Sequence, residues 1–154
     1  KNRADVIFEA KKNATQIGKR HKDGSVYVHV NDIDTDVILG TRGLQHGLDR
    51  RFKTLAPVTI KAGEILKNSI RINEMIPKTN SAFESYILVG AAKNKNGELY
   101  IVQSVINKYN LELTSMDVLY AINAKTEPEL GKKRTGWELI PEADSTKAPA
   151  SPIL

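Results

Sequence analysis

A chain of 154 residues, 40% of them hydrophobic, is long enough to bury one sizeable core, and it contains no cysteine. That composition excludes disulfides, cysteine nucleophiles and thiolate metal sites, and no apolar run approaches the ~20 residues needed to cross a bilayer. The net charge of +5 is concentrated in the middle: residues 51–125 hold 10 Lys+Arg against 6 Asp+Glu, residues 1–50 hold 9 against 7, and residues 126–154 hold 4 against 5. A basic segment attracts polyanions such as RNA or DNA, while the bland reading is a solvated surface of ordinary lysines. The charged opening Lys1-Asn2-Arg3-Ala4-Asp5 shows no signal peptide, and the numbering is compatible with a start inside a longer protein.

In chain order, Val6, Ile7, Ala10, Ala14 and Ile17 fall near helical spacing and predict a helix over 3–18, stopped at Gly18. Residues 1–19 then read as an N-terminal helix or a linker to a preceding domain. Ser25 to Val30 predicts a strand after an Asp23-Gly24 turn. Asn31 to Asp36 is an acidic loop, Val37-Ile38-Leu39 a short apolar run, and Gly40 to Gly47 a glycine-rich loop. Pro57 suits a first helical residue, and Val58, Ala62, Ile65, Leu66 and Ile70 then trace one buried helix face. Strands are expected over Ile70–Ile76, Ser85–Ala92, Leu99–Ile106 and Val118–Ala124. Asn96-Gly97 predicts a tight two-residue hairpin between the second and third of these, because Asn and Gly tolerate positive φ. For the last strand, Thr114 with Asp117 also resembles a helix capping box, but the alternation of Val118, Tyr120 and Ile122 favours a strand. The expected fold is α+β, with one or two helices on a four-stranded antiparallel sheet. Beyond Lys125, prolines and glycines punctuate a polar tail in which Trp137, Leu139 and Ile140 are positioned to dock back.

Few residues invite chemistry. Asp32-x-Asp34-x-Asp36 begins like a calcium loop, but Val37 and Gly43 stand where the pattern needs Gly and Glu, so a solvated turn with capping aspartates is the plainer reading. His29 reads as a strand residue and His21 as part of a charged turn. His46 differs, with a flanking glycine and Arg42, Arg50 and Arg51 within five residues. An imidazole moves protons at neutral pH, and arginines grip phosphate bidentately. The competing reading makes His46 a helix cap with arginines on a solvent face. Thr114-Ser115 sit at the entry of the last strand, where hydroxyls bond phosphate or simply cap. Gln103 and Lys108 lie in and at the end of the third strand.

The runs Thr41 to Arg51, Ala62 to Glu74, Ser85 to Gly90, Gly97 to Val102 and Leu113 to Lys125 together resemble the phage-associated barnase/EndoU/colicin/RelE-like nuclease domains. These occur within large multidomain proteins of phages and integrative elements of Firmicutes. The resemblance spans about residues 20–126, leaving 127–154 as a tail or linker. It implies helices packed on a four-stranded antiparallel sheet and a metal-independent endoribonuclease without cofactor. The implied cleavage proceeds by 2′-OH attack to a 2′,3′-cyclic phosphate, as an effector or toxin of a mobile element. It assigns catalysis to His46, Arg50, Thr114 and Ser115, and RNA contacts to Arg42, Arg51, Gln103 and Lys108. Gln103 stands where similar sequences place an arginine. The implied partners are RNA such as tRNA, an immunity or antitoxin protein, and neighbouring domains, with no membrane. The implied location is the bacterial cytoplasm, including that of a recipient cell. The alternative is a non-catalytic RNA- or protein-binding module of the same fold.

Overall fold

The structure is a computed structural model that describes residues 2–73, 76–78, 82–111, 114–130 and 152–154. Helix α1 (Arg3–Ile17) starts at a capping box: the Asn2 side chain accepts from the Asp5 amide at 2.9 Å, and Asp5 accepts in return from the Asn2 amide. Its stripe of Val6, Ala10 and Ala14 is fully buried, so this helix belongs to the main core. Strands β1 (Lys19–Arg20) and β2 (Val26–Val30) form a hairpin, and a 3₁₀ turn at Asn31–Ile33 leads into β3 (Thr35–Ile38).

The glycine-rich segment after β3, expected as a loop, is helix α2 (Thr41–Arg50). Its glycines serve close approach instead of flexibility. A Cβ on Gly43 would run into the carbonyl of Leu119, and one on Gly47 would meet the Ile122 carbonyl and the Leu55 side chain. With Leu44 and Leu48 buried between them, the i, i+4 rows of α2 lie directly on the backbone of the last strand. The single helix expected from Pro57 onward is two, α3 (Phe52–Ile60) and α4 (Ala62–Lys67), and Pro57 lies inside α3 instead of at its start. Lys61 breaks the run with φ −100° and ψ 13°, off helical values.

Strand β4 spans only Ile70–Ile72, shorter than the expected 70–76. Strands β5 (Glu84–Lys93), β6 (Leu99–Leu111) and β7 (Thr114–Thr126) pair antiparallel in long ladders, followed by a one-turn helix α5 (Glu127–Leu130). The β5–β6 hairpin turns where Asn96-Gly97 predicts, but with three residues between Asn94 and Glu98 instead of a two-residue turn. The Gly97 amide donates to the Asn94 carbonyl at 3.0 Å, and Gly97 sits at φ +82°. That is a type I turn closed by a glycine bulge. The Asn94 side chain locks it by accepting from the Asn96 and Glu98 amides.

The expected four-stranded antiparallel sheet is corrected to a seven-stranded mixed sheet in the order β1-β2-β3-β7-β6-β5-β4. The α+β class stands; the strand count and direction do not. The additional members are the β1–β3 unit and a parallel pairing of β3 with β7, Val37 opposite Asp117 and Ile38 opposite Val118. Helices α1 to α4 contribute to one core, where Val28, Leu88, Val102, Ile106 and Leu119 meet Leu44, Leu55, Ile65 and Leu66. Each such fully buried side chain contributes about 1.5–3 kcal/mol. A smaller apolar cluster joins Ile72, Ile87 and Val89. At the far end of the chain, residues 152–154 add to the end of β5: the Lys93 amide donates to the Pro152 carbonyl at 2.8 Å, and the Leu154 amide to the Lys93 carbonyl at 2.7 Å. Trp137, Leu139 and Ile140, expected to dock, lie outside the described residues.

Candidate functional site

Beyond the end of β3, α2 runs beside β7, and the junction opens a cleft of about 600 Å³. Its walls are Arg42 and His46 from α2, Asn107 and Tyr109 from β6, and Val118 and Tyr120 from β7. Register explains the meeting. Asn107 pairs with Val118 and Tyr109 with Met116, on the face of β6 opposite that of Ile106. Between Leu119 (opposite Ile106) and Ala121 (opposite Val105), β7 holds one extra residue, Tyr120. Such a bulge re-aims a side chain, and here the Tyr120 ring lies against the His46 imidazole, centroids 4.8 Å apart and planes tilted by 35°. His46 and Arg42 are exposed one turn apart on α2.

The sheet side of the cleft is held by hydrogen bonds. Ser85 Oγ donates to Asn107 Oδ1 at 2.7 Å, and Asn107 Nδ2 donates to the Tyr109 hydroxyl at 3.2 Å. Because the phenol oxygen accepts that bond, the Tyr109 proton is left to point elsewhere. Gly40 caps α2 without a side-chain hydrogen bond and the first turn holds no acidic residue, so the cleft is entered by the positive end of the helix dipole.

The residues singled out in sequence are only partly brought together. Arg42 and His46 share the cleft. Arg50 is exposed in the last turn of α2, one turn beyond His46. Arg51 is engaged elsewhere: its guanidinium donates to the Ala124 carbonyl at 3.2 Å and pairs with Glu129 at 2.9 Å, tying the α2–α3 junction to the end of β7. The Thr126 amide, then its hydroxyl, and then Arg51 hold the Glu129 carboxyl below its ordinary pKa. Gln103 is on the cleft side of β6, paired with Asn123. Lys108, five residues on, is on the opposite face. The backbones of Thr114 and Ser115 begin β7, six and five residues before Tyr120. Ser115 pairs with Asn110 and Thr114 with Leu111, next along the ladder from the pairing of the cleft residue Tyr109 with Met116. Sequence reasoning missed Asn107, Tyr109 and Tyr120. No clean alternation announced them: Lys108 separates Asn107 from Tyr109, and the apolar Val105 shares their side of β6.

Two other polar clusters are structural. The Tyr86 hydroxyl donates to Asp117 Oδ2, the Arg71 guanidinium stacks 4.3 Å over the Tyr86 ring, and Arg71 pairs with Glu84 at 2.9 Å. Burial first, then the Asp117 carboxylate, pushes the Tyr86 phenol far above its ordinary pKa. The acidic loop is divided among partners: Asp32 accepts from the Arg71 amide at 2.9 Å, while Asp34 and Asp36 clamp His29 at 2.9 and 2.8 Å. Among the described residues no group of three or more His, Cys, Asp or Glu is placed to hold a metal ion, and no helix is long and apolar enough to cross a membrane.

No protein-family model, no curated protein and no solved structure matches the chain.

Proposed function

We propose that the chain binds single RNA strands in the His46 cleft and cleaves them by attack of a 2′-OH on the adjacent phosphate. One observation carries the reading: the exposed His46 and Arg42 line, together with Tyr109, one cleft of nucleotide-scale volume. His46 takes the 2′-OH proton. The 2′-oxygen attacks phosphorus, and Arg42 with the first turn of α2 offsets the charge that builds on the phosphoryl oxygens. A proton from the Tyr109 hydroxyl passes to the departing 5′-oxygen. The products are a 2′,3′-cyclic phosphate and a 5′-OH, and no metal takes part. Relative to the set read from sequence, His46 keeps its role and Arg42 replaces Arg50 as the phosphate holder. In this reading the Tyr109 hydroxyl takes the role given to the Thr114-Ser115 hydroxyls.

The test is incubation with total RNA in EDTA, beside His46→Ala, with the new ends analysed. Cleavage in EDTA that leaves cyclic-phosphate ends and disappears in His46→Ala is the expected result. Cleavage that survives the substitution, or that EDTA abolishes, overturns the mechanism. A second reading, RNA binding without cleavage, is favoured by one specific observation: among the described residues lining the cleft there is no carboxylate and no second histidine or lysine. It predicts intact RNA with an affinity that falls steeply as salt rises.

A further inference from the structure

The largest exposed apolar side chain on α1 has no structural explanation. Phe8 is 70% exposed, on a helix whose Val6, Ala10 and Ala14 are fully buried. It stands at the side of a second cleft of about 630 Å³, formed where α1 crosses α2 and lined by Arg3, Ile7, Phe8, Lys11, Thr41 and Gln45. Thr41 lines both this groove and the His46 cleft. Gln45 lines both the groove and the recess that holds Arg42 and His46. The groove's two cations differ. Arg3 pairs with Asp49, whereas Lys11 donates to the neutral hydroxyl of Thr41, the residue that lines both clefts, at 2.7 Å.

We infer that the α1–α2 groove is a second nucleotide subsite, which receives the part of a single RNA strand flanking the nucleotide in the His46 cleft. A base stacks on Phe8 and the intervening phosphate passes Lys11 and Thr41. The chemistry on the surface is what a single strand needs: aromatic rings at Phe8 and Tyr120 for bases, and cations at Lys11 and Arg42 for phosphates. A duplex keeps its bases stacked inward and has no face to offer Phe8. This inference rests on the proposed RNA reading of the His46 cleft and extends it from one nucleotide to a strand.

The test measures binding of 2′-O-methyl RNA, which cannot be cleaved, as a dinucleotide and as a hexanucleotide, to the whole chain and to Phe8→Ala and Lys11→Gln. The hexanucleotide is expected to bind more tightly than the dinucleotide to the unaltered chain. Phe8→Ala should weaken the hexanucleotide by about 5- to 20-fold, the loss of one stacked base, and leave the dinucleotide unchanged. Lys11→Gln should flatten the salt dependence for the hexanucleotide alone. If the hexanucleotide binds Phe8→Ala as it binds the unaltered chain, the subsite is overturned while the His46 cleft stands, and the groove takes a protein segment or nothing. If neither RNA binds the unaltered chain, the RNA reading itself fails, and the subsite with it. Phe8 is exposed, so its removal leaves the core intact; a thermal melt of each variant verifies this.

Discussion

Two histidines on this molecule, His29 and His46, differ in what surrounds them. His29 is a β2 residue whose Nδ1 is 2.8 Å from Asp36 and whose Nε2 is 2.9 Å from Asp34. Carboxylates only accept, so both contacts are hydrogen bonds only when the ring is the doubly protonated imidazolium. That ring is committed to holding a turn. His46 instead rests one face against Tyr120 and opens onto a cleft with Arg42. The comparison teaches that a site is recognised less by the presence of a histidine than by what has been left for it to do.

The largest expected effect breaks the comparison if it is wrong. His46→Ala should lower RNA cleavage by about 10²- to 10⁴-fold, the range for loss of a general acid or base, while His29→Gln should leave it nearly unchanged. Equal losses in both, measured as initial rates on one RNA at fixed salt, would remove the special standing of the cleft. Tyr109→Phe is expected to fall between them, with a rate loss and little change in KM, because it removes a proton donor and keeps the ring. An unaltered rate would take the phenol out of the mechanism.

The cleft also depends on how closely α2 lies on β7. Gly43→Ala puts a methyl group against the Leu119 carbonyl, which is backbone and cannot rotate aside. The expected cost is about 1–3 kcal/mol of stability, as for overpacking elsewhere, together with loss of cleavage as His46 and Tyr120 separate. Gly97→Ala, also a glycine, meets open space at φ +82°. It should cost about 1 kcal/mol from backbone strain and leave activity intact. Denaturant melts of the pair distinguish a glycine that positions a site from one that only turns a hairpin.

Much of this could be read from the chain, for physical reasons. The hairpin and the β5–β6 pair were legible because their signals are local: turn residues between two apolar runs. Helix α1 was legible from its 3.6-residue stripe. The parallel pairing of β3 with β7 was not, because Val37 and Asp117 are eighty positions apart and a two-pair contact leaves no local pattern. Helix α2 was mistaken for a loop because Gly43 and Gly47 read as breakers. Their spacing of four, shared with Leu44 and Leu48, marked a helix face that something approaches closely. Arg42 and His46 were legible as residue types close in sequence. Tyr120 was not legible as their partner, since a one-residue bulge decides where it points and no residue in its vicinity announces the bulge.

The smallest effect sharpens the comparison through pH. The hydrogen bond to Asp36 first, then that to Asp34, raises the pKa of His29 above its ordinary 6.5, and the bond with His29 lowers that of Asp36 below 3.8. A group whose folded pKa is raised stabilises fully below its unfolded pKa and loses that contribution as pH rises through the folded value. A lowered carboxylate does the reverse, contributing above its unfolded pKa and losing that as pH falls. The clamp is one interaction seen from both ends, so it stabilises most between about pH 4 and 6.5 and fades on either side. The difference in Tm between the unaltered chain and His29→Gln should therefore be largest near pH 5 and shrink toward pH 9. It should stay small throughout, because an ion pair this exposed is screened by water. A difference that does not change with pH would mean His29 acts by packing alone. Its contrast with His46 would then rest on geometry and no longer on charge.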